Sequence, residues 1–314
     1  MDSSNITSVI QRDYIKSILA VEELLETYIN RVICGIGIIL NLFFLCVLYK
    51  PKIIYKISSY LWCRTFCNLI VCILGVAFTD YYHEEKRIGS LAFFEHEVFI
   101  IATLIRIAFM ASILSDILVI LNKFLMLLNM KSFWADLNKI MNLVICYGIG
   151  ITLFVPLYFV NDNGGGYDSW KSNVLGSIYL IVLLFLECVI PVLVLTILNL
   201  TSVYKFRKIM RMRGHLISYK TKERKIEIRT TKIVILLTLV CIITRAFDMF
   251  CEARIRIGWF KLVEYSAEEK VENELISHIS KLFMNCAHAF EGIVYFTMDK
   301  NLKNMFLDHL NVKR

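Results

Sequence analysis

Proline is scarce in this chain, at 3 of 314 residues, and glycine stops at 13. Collagen-like, linker-like and disordered chains are thereby excluded. Charge is thin as well: 20% of residues are charged, where a soluble domain carries about 25%. The first 27 residues lack the basic start, apolar stretch and small-residue cleavage site of a signal peptide. Asp2, Asp13, Glu22, Glu23 and Glu26 make them acidic instead. Polar-loop cysteines are missing too. Of the 10 cysteines, only Cys251 sits near the edge of an apolar run. A disulfide framework places cysteines in polar loops, so these read as small hydrophobic packers.

Hydrophobic residues make up 57% of the chain, and mean hydropathy is +0.62. A helix needs about 20 apolar residues to cross a bilayer. Seven stretches qualify: roughly 28–49, 59–79, 98–128, 140–160, 174–204, 231–251 and 276–298. The expected architecture is an all-α membrane protein, a single seven-helix bundle. It divides into a tail at 1–27, a bundle at 28–298, and a short interfacial helix with its tail at 299–314. No internal repeat is visible, which weakens a transporter built from two related halves.

Lys and Arg set the orientation. The side facing residues 50–58, the end of the third stretch to 139, 205–232 and the tail from 299 holds 21 of the 35; the other side holds 9. The richer side is expected to face the cytoplasm, with the N-terminus outside. Asn5-Ile6-Thr7 reads as a glycosylation acceptor in that outer tail. The net charge of +8 follows membrane topology, so nucleic acid is not an expected partner.

Several local motifs sit in order along this frame. Gly35-Ile-Gly37-Ile-Ile-Leu40-Asn41 is a glycine-rich run ending in Asn. Asn68-Leu-Ile-Val71 follows in the second stretch, and Asn122-Lys123-Phe124 closes the third. Pro191 lies mid-helix in the fifth, and Glu291-Gly-Ile-Val-Tyr295 in the seventh. Lys300-Asn301 through Phe306 follow. Together they resemble the rhodopsin-like G protein-coupled receptors over roughly residues 28–307. Departures are clear. The family's disulfide between the third span and the second outer loop has no cysteines here. Lys123 stands for the family's Arg and Asn122 for its acid. The sixth-span Trp and Pro are missing, and Gly292 replaces the seventh-span Pro. The resemblance is to a divergent, invertebrate-type member, peptide- or chemosensory-like.

That resemblance implies a plasma-membrane receptor that binds an extracellular ligand and activates a heterotrimeric G protein. Charges inside a membrane face the bundle interior or water, and they form two groups here. Asn41, Asn68, Asp116 and Glu291, with Lys123 and Tyr295, form an inner switching group. Two readings stand for it: a hydrogen-bonded network that glues helices, or a sodium ion near Asn68, Asp116 and Glu291, whose carboxylates suit a hard cation. Arg106, Glu187, His278 and Lys281 are the candidate ligand contacts in the outer half. Internal pairing is the alternative for them, and Arg245 and Asp248, three apart on one helix, are expected to pair with each other. Arg64 is expected to snorkel to the headgroups, and His288 to be a core residue.

On the cytoplasmic side, Lys205, Arg207, Lys208, Arg211 and Lys232 belong to a basic stretch that could extend the fifth helix. It reads as topology plus attraction to anionic lipid, or as a G protein docking surface. Residues 299–314 read as an interfacial helix on membrane lipids.

Two other classes compete. A seven-helix ligand-gated chemoreceptor channel has its N-terminus inside, against the charge split. An intramembrane zinc hydrolase would use His278, His288, Glu291 and Asp116. The histidines are ten residues apart on one helix, about 15 Å, too far to share a metal. No enzyme activity and no resident metal is expected.

Overall fold

The computed structural model describes residues 14–49, 58–88, 92–128, 130, 139–162, 174–214, 222–259 and 266–298. All regular structure among them is helical, in seven helices. These are α1 (14–49), α2 (Ser58–Ile88), α3 (Ala92–Leu127), α4 (Lys139–Asp162), α5 (174–214), α6 (Lys222–Trp259) and α7 (Ala267–Met298). Three of them contain windows long and apolar enough to cross a membrane: Tyr14–Leu48, Thr103–Asn122 and Ile181–Lys208. Leu61–Ala77 and Ile140–Pro156 are shorter apolar helical stretches.

Most helices outrun the apolar stretches. The first starts at Tyr14, inside the segment expected to be tail. The fifth continues to Gly214 and carries the basic run on the same helix. Residues 299–314 and Asn5 lie outside the described residues, so the interfacial helix and the glycosylation acceptor are not described.

Contacts between side chains fix the directions of the helices. Asn68 meets Ser112 while Arg64 meets Asp116, so α2 and α3 are antiparallel. Ser115 meets Cys146 while Ile107 lies under Gly150, so α3 and α4 are antiparallel. Asp248 meets Ser280 while Arg245 meets His288, so α6 and α7 are antiparallel. Tyr14, Asn30 and Asn41 meet Glu272, Asn285 and His288 in order, so α1 and α7 are parallel. α5 packs on α3 and α6, and α7 returns to α1. α3 packs on α2, α4, α5 and α6. Its apolar window is 56% buried, against 28% in α1 and 18% in α5, so α3 is the central post.

Polar and apolar residues share the interior, while much of the outside is apolar. Ile39 is 70% exposed and Leu200 66%, while Asn41, Asn68 and Asp116 are at 1%. Water would penalise so much continuous apolar surface; lipid would not. That surface, with three helices long and apolar enough to cross a membrane, is consistent with membrane association. Its interior is cemented by small groups. Cys34, Cys72 and Ala289 form one cluster among α1, α2 and α7. Cys63, Cys67, Ala111 and Cys146 form another among α2, α3 and α4. The nine cysteines described are all free thiols. Gly37 is required where it stands: a Cβ there would lie 2.6 Å from Cys72 Sγ and 2.9 Å from Ala289 Cβ.

Two helices widen to a π turn. In α5 it spans Phe185–Val189, and Pro191 explains it. Proline has no N–H to offer the carbonyl four residues back, which belongs to Glu187. In α1 it spans Leu24–Asn30 and includes buried Glu26; the sequence has no proline there.

Candidate functional site

The half of the bundle nearer the start of α1, termed outer after the expected topology, encloses a cavity of about 160 Å³. Arg106 on α3, Glu187 on α5, and His278 and Lys281 on α7 all line it. The four candidate ligand contacts read from the sequence thus share one space. The pair Arg106–Glu187 spans 3.8 Å with side chains 31% and 18% exposed. So long and open a pair contributes little stability. Lys281 is exposed at the cavity wall. His278 is held differently, with Nε2 3.1 Å from Glu22 and Nδ1 2.7 Å from Glu26. Glu26, Asn30 and Asp248 also line the cavity.

Below it lies a buried polar network. The Arg64 guanidinium sits between Asp116, at 2.5 Å, and Glu291, at 2.7 Å. Asn68 Nδ2 donates to Glu291 Oε2 at 2.7 Å. Asn68 Oδ1 accepts from Ser112 Oγ and from His288 Nδ1, at 3.1 and 2.8 Å. Since a carbonyl oxygen only accepts, Nδ1 carries the proton. The other ring nitrogen is then the acceptor for Arg245 Nη2, at 3.3 Å. Cys241 Sγ donates to Asp116 Oδ2 at 2.8 Å. Asn41 Nδ2 donates to the carbonyls of Gly37 and His288. Arg64 supplies the counter-charge to both carboxylates, as a buried ionic cluster needs, and Arg245 meets the network at His288.

Arg64 corrects the sequence reading. It does not snorkel; it is 4% exposed in the bundle core. The cause is Asp116 and Glu291, two carboxylates whose burial without a counter-charge would be far more costly than turning one arginine inward. His288 is a core residue, as expected, but a hydrogen-bonded one. Arg245 lies over the Phe109 ring at 5.3 Å and reaches His288, while Asp248 accepts from Ser280.

A small cavity of about 30 Å³ lies between the two levels. Phe109, Glu187, Asp248 and Met284 line both it and the outer cavity. Arg245 lines both it and a third cavity of about 290 Å³, whose wall includes Arg64, Asp116, His288 and Glu291. Phe109 and Arg245 thus form the partition between outer cavity and inner network.

The remaining sequence candidates are dispersed. Lys205 is half-buried, and Arg207, Lys208 and Lys232 are exposed. The backbones of Lys123, Arg211 and Tyr295 are helical; their side chains lie outside the described residues. The zinc-hydrolase set is split, with His278 at the outer cavity and His288 in the inner network. Sequence reasoning missed Glu22 and Glu26, because they lie before the apolar stretch. Their spacing of four, on one helical face, was the signal. Arg64 carried the same signal, four residues before Asn68.

No family model matches the chain, and no curated protein matches it significantly.

Proposed function

We propose that this chain is a cell-surface G protein-coupled receptor of the rhodopsin-like kind, with all seven helices crossing the plasma membrane, the N-terminus outside and an interfacial helix after the seventh. A charged small molecule or peptide binds in the outer cavity, and a heterotrimeric G protein binds at the inner face. The observation that carries this reading is the stacking of three cavities with shared walls from the outer quartet to the charge network. Four charged or polar residues from α3, α5 and α7 line the outer one, and the stacked pair Phe109 and Arg245 stands between it and the charge network around Asn68.

Mechanism follows from those contacts. A ligand carboxylate takes Arg106 or Lys281, and a ligand amine takes Glu187. Either disturbs the Arg106–Glu187 pair beside Phe109. Moving Phe109 frees Arg245, which then loosens its hold on His288. His288 and Glu291 share Asn68, so the inner network repacks. The inner ends of α5 and α6 separate, and Lys205, Arg207, Lys208, Arg211 and Lys232 receive the G protein. Lys123 and Tyr295 act at that inner end. The ligand drives this only by binding the repacked state more tightly than the resting one. In this reading Arg64 is a tethered counter-ion between Asp116 and Glu291, in the place where sodium is the other candidate.

The test is ligand-free second-messenger output in cells expressing the chain, beside Asn5→Gln and an N-terminal epitope tag. A glycan lost in Asn5→Gln, a tag accessible on intact cells and a G protein-dependent signal support the receptor. A tag accessible only after permeabilisation overturns it and favours the chemoreceptor channel.

A further inference from the structure

We infer that Glu22, Glu26 and His278 form a divalent-metal site, best suited to Zn²⁺, between α1 and α7 at the outer end of the bundle. It stands apart from the receptor reading, since a metal can bind here whether or not a G protein couples.

Geometry comes first. One ligand atom from each residue lies within 4.8 Å of the others. Among the described residues no other His, Cys, Asp and Glu side chains gather in this way. Glu22 and Glu26 are four apart on one face of α1, and the π turn Leu24–Asn30 widens the helix at Glu26. The imidazole of His278 lies between the two carboxylates. A small movement of either carboxylate toward the nitrogen held by the other gathers three ligands on one side of the ring.

Burial and charge come second. Glu22 is 3% exposed and Glu26 6%. Glu22 Oε2 is buried with no hydrogen-bond partner among the described residues. An orphan carboxylate oxygen beside an imidazole is an unused ligand position. Even as an imidazolium, His278 supplies one positive charge against two negative ones. A divalent cation with a neutral imidazole makes the trio electroneutral.

Chemistry selects the metal. Two carboxylates and one imidazole suit Zn²⁺, which takes both ligand types, better than Ca²⁺ or Mg²⁺, which favour all-oxygen shells. Three protein ligands leave one position open. Glu26 and His278 both line the outer cavity, so that position faces the space where a ligand would bind. The metal would fasten α1 to α7 and offer its open position to a donor group on the ligand.

The experiment uses the full chain in lipid nanodiscs with Zn²⁺ as the probe. Titration should give one bound Zn²⁺ per chain, weakened at least tenfold by Glu26→Gln and by His278→Asn. The exposed neighbour variant Glu23→Gln should bind as the wild type does. Because the buried variants can fail to fold, zinc-edge X-ray absorption on the wild type is the deciding arm. It should read nitrogen and oxygen ligands at about 2.0–2.2 Å, with an imidazole signature and no sulfur near 2.3 Å. A sulfur shell would assign the metal to the cysteines and overturn the proposal. Absence of binding at millimolar Zn²⁺, or unchanged affinity in folded Glu26→Gln and His278→Asn, would overturn it as well.

Discussion

Arg64 on α2 and Asp116 on α3 meet at 2.5 Å in the bundle core, and the same guanidinium reaches Glu291 on α7 at 2.7 Å. One side chain therefore ties three helices through charge. Removing it leaves two buried carboxylates without a counter-charge. Arg64→Met should destabilise by about 3–5 kcal/mol, the usual cost of breaking a buried pair from one side. The triple change Arg64→Met, Asp116→Asn, Glu291→Gln should recover much of that loss, because no carboxylate is stranded. Thermal melts of detergent-purified protein measure both.

Gly37 and Gly35 should behave oppositely. A side chain at Gly37 collides with Cys72 and Ala289, so Gly37→Val should cost about 1–3 kcal/mol by overpacking. At Gly35 an added Cβ meets nothing within 4 Å. Gly35→Ala should be neutral or stabilise by up to about 1 kcal/mol through helix propensity. Parallel melts of the two variants check the contact of α1 with α2 and α7.

The outer cavity should tolerate mutation without unfolding. Lys281 is exposed, and the Arg106–Glu187 pair is long and open. Lys281→Ala and Glu187→Gln should leave surface expression unchanged. Each that contacts the ligand should lower potency by about tenfold to a hundredfold, as expected for a lost charged hydrogen bond of roughly 1.5–3 kcal/mol. Dose–response curves normalised to surface protein give the comparison. Unchanged potency in both would count against the cavity as the binding site.

Phe109 and Arg245 should be energetically coupled. Their contact is a cation–π stack with the ring 5.3 Å away. A double-mutant cycle of Phe109→Ala and Arg245→Gln, read on agonist efficacy, should give a coupling of about 0.5–3 kcal/mol. Strict additivity would mean that the partition carries no signal between chambers.

The run of seven helices was legible in the sequence because lipid-facing stretches are long and apolar. Helix ends were not. Tyr14 to Glu26 are helical although acidic, because they pack against α7 through Glu272 and His278, and only tertiary contact reveals that. The outer quartet of Arg106, Glu187, His278 and Lys281 was legible because charge in an apolar stretch is conspicuous and because the resemblance set Arg106, Glu187 and Lys281 at one cavity. Arg64 was not: a basic residue near a helix end reads as a headgroup contact, and its burial follows from Asp116 and Glu291 on other helices. Glu22 and Glu26 escaped for the same reason, since their partner His278 is distant in sequence.

The central claim is that this bundle passes an outer binding event to a G protein. Its most direct measurement is guanine-nucleotide exchange by purified Gα subunits of each class, mixed with the chain in nanodiscs, with ion flux recorded from liposomes of the same preparation. The account predicts exchange above the rate with empty nanodiscs for at least one class, reduced by Arg245→Gln, and no ion flux. Ion flux with exchange at the empty-nanodisc rate for every class would contradict it.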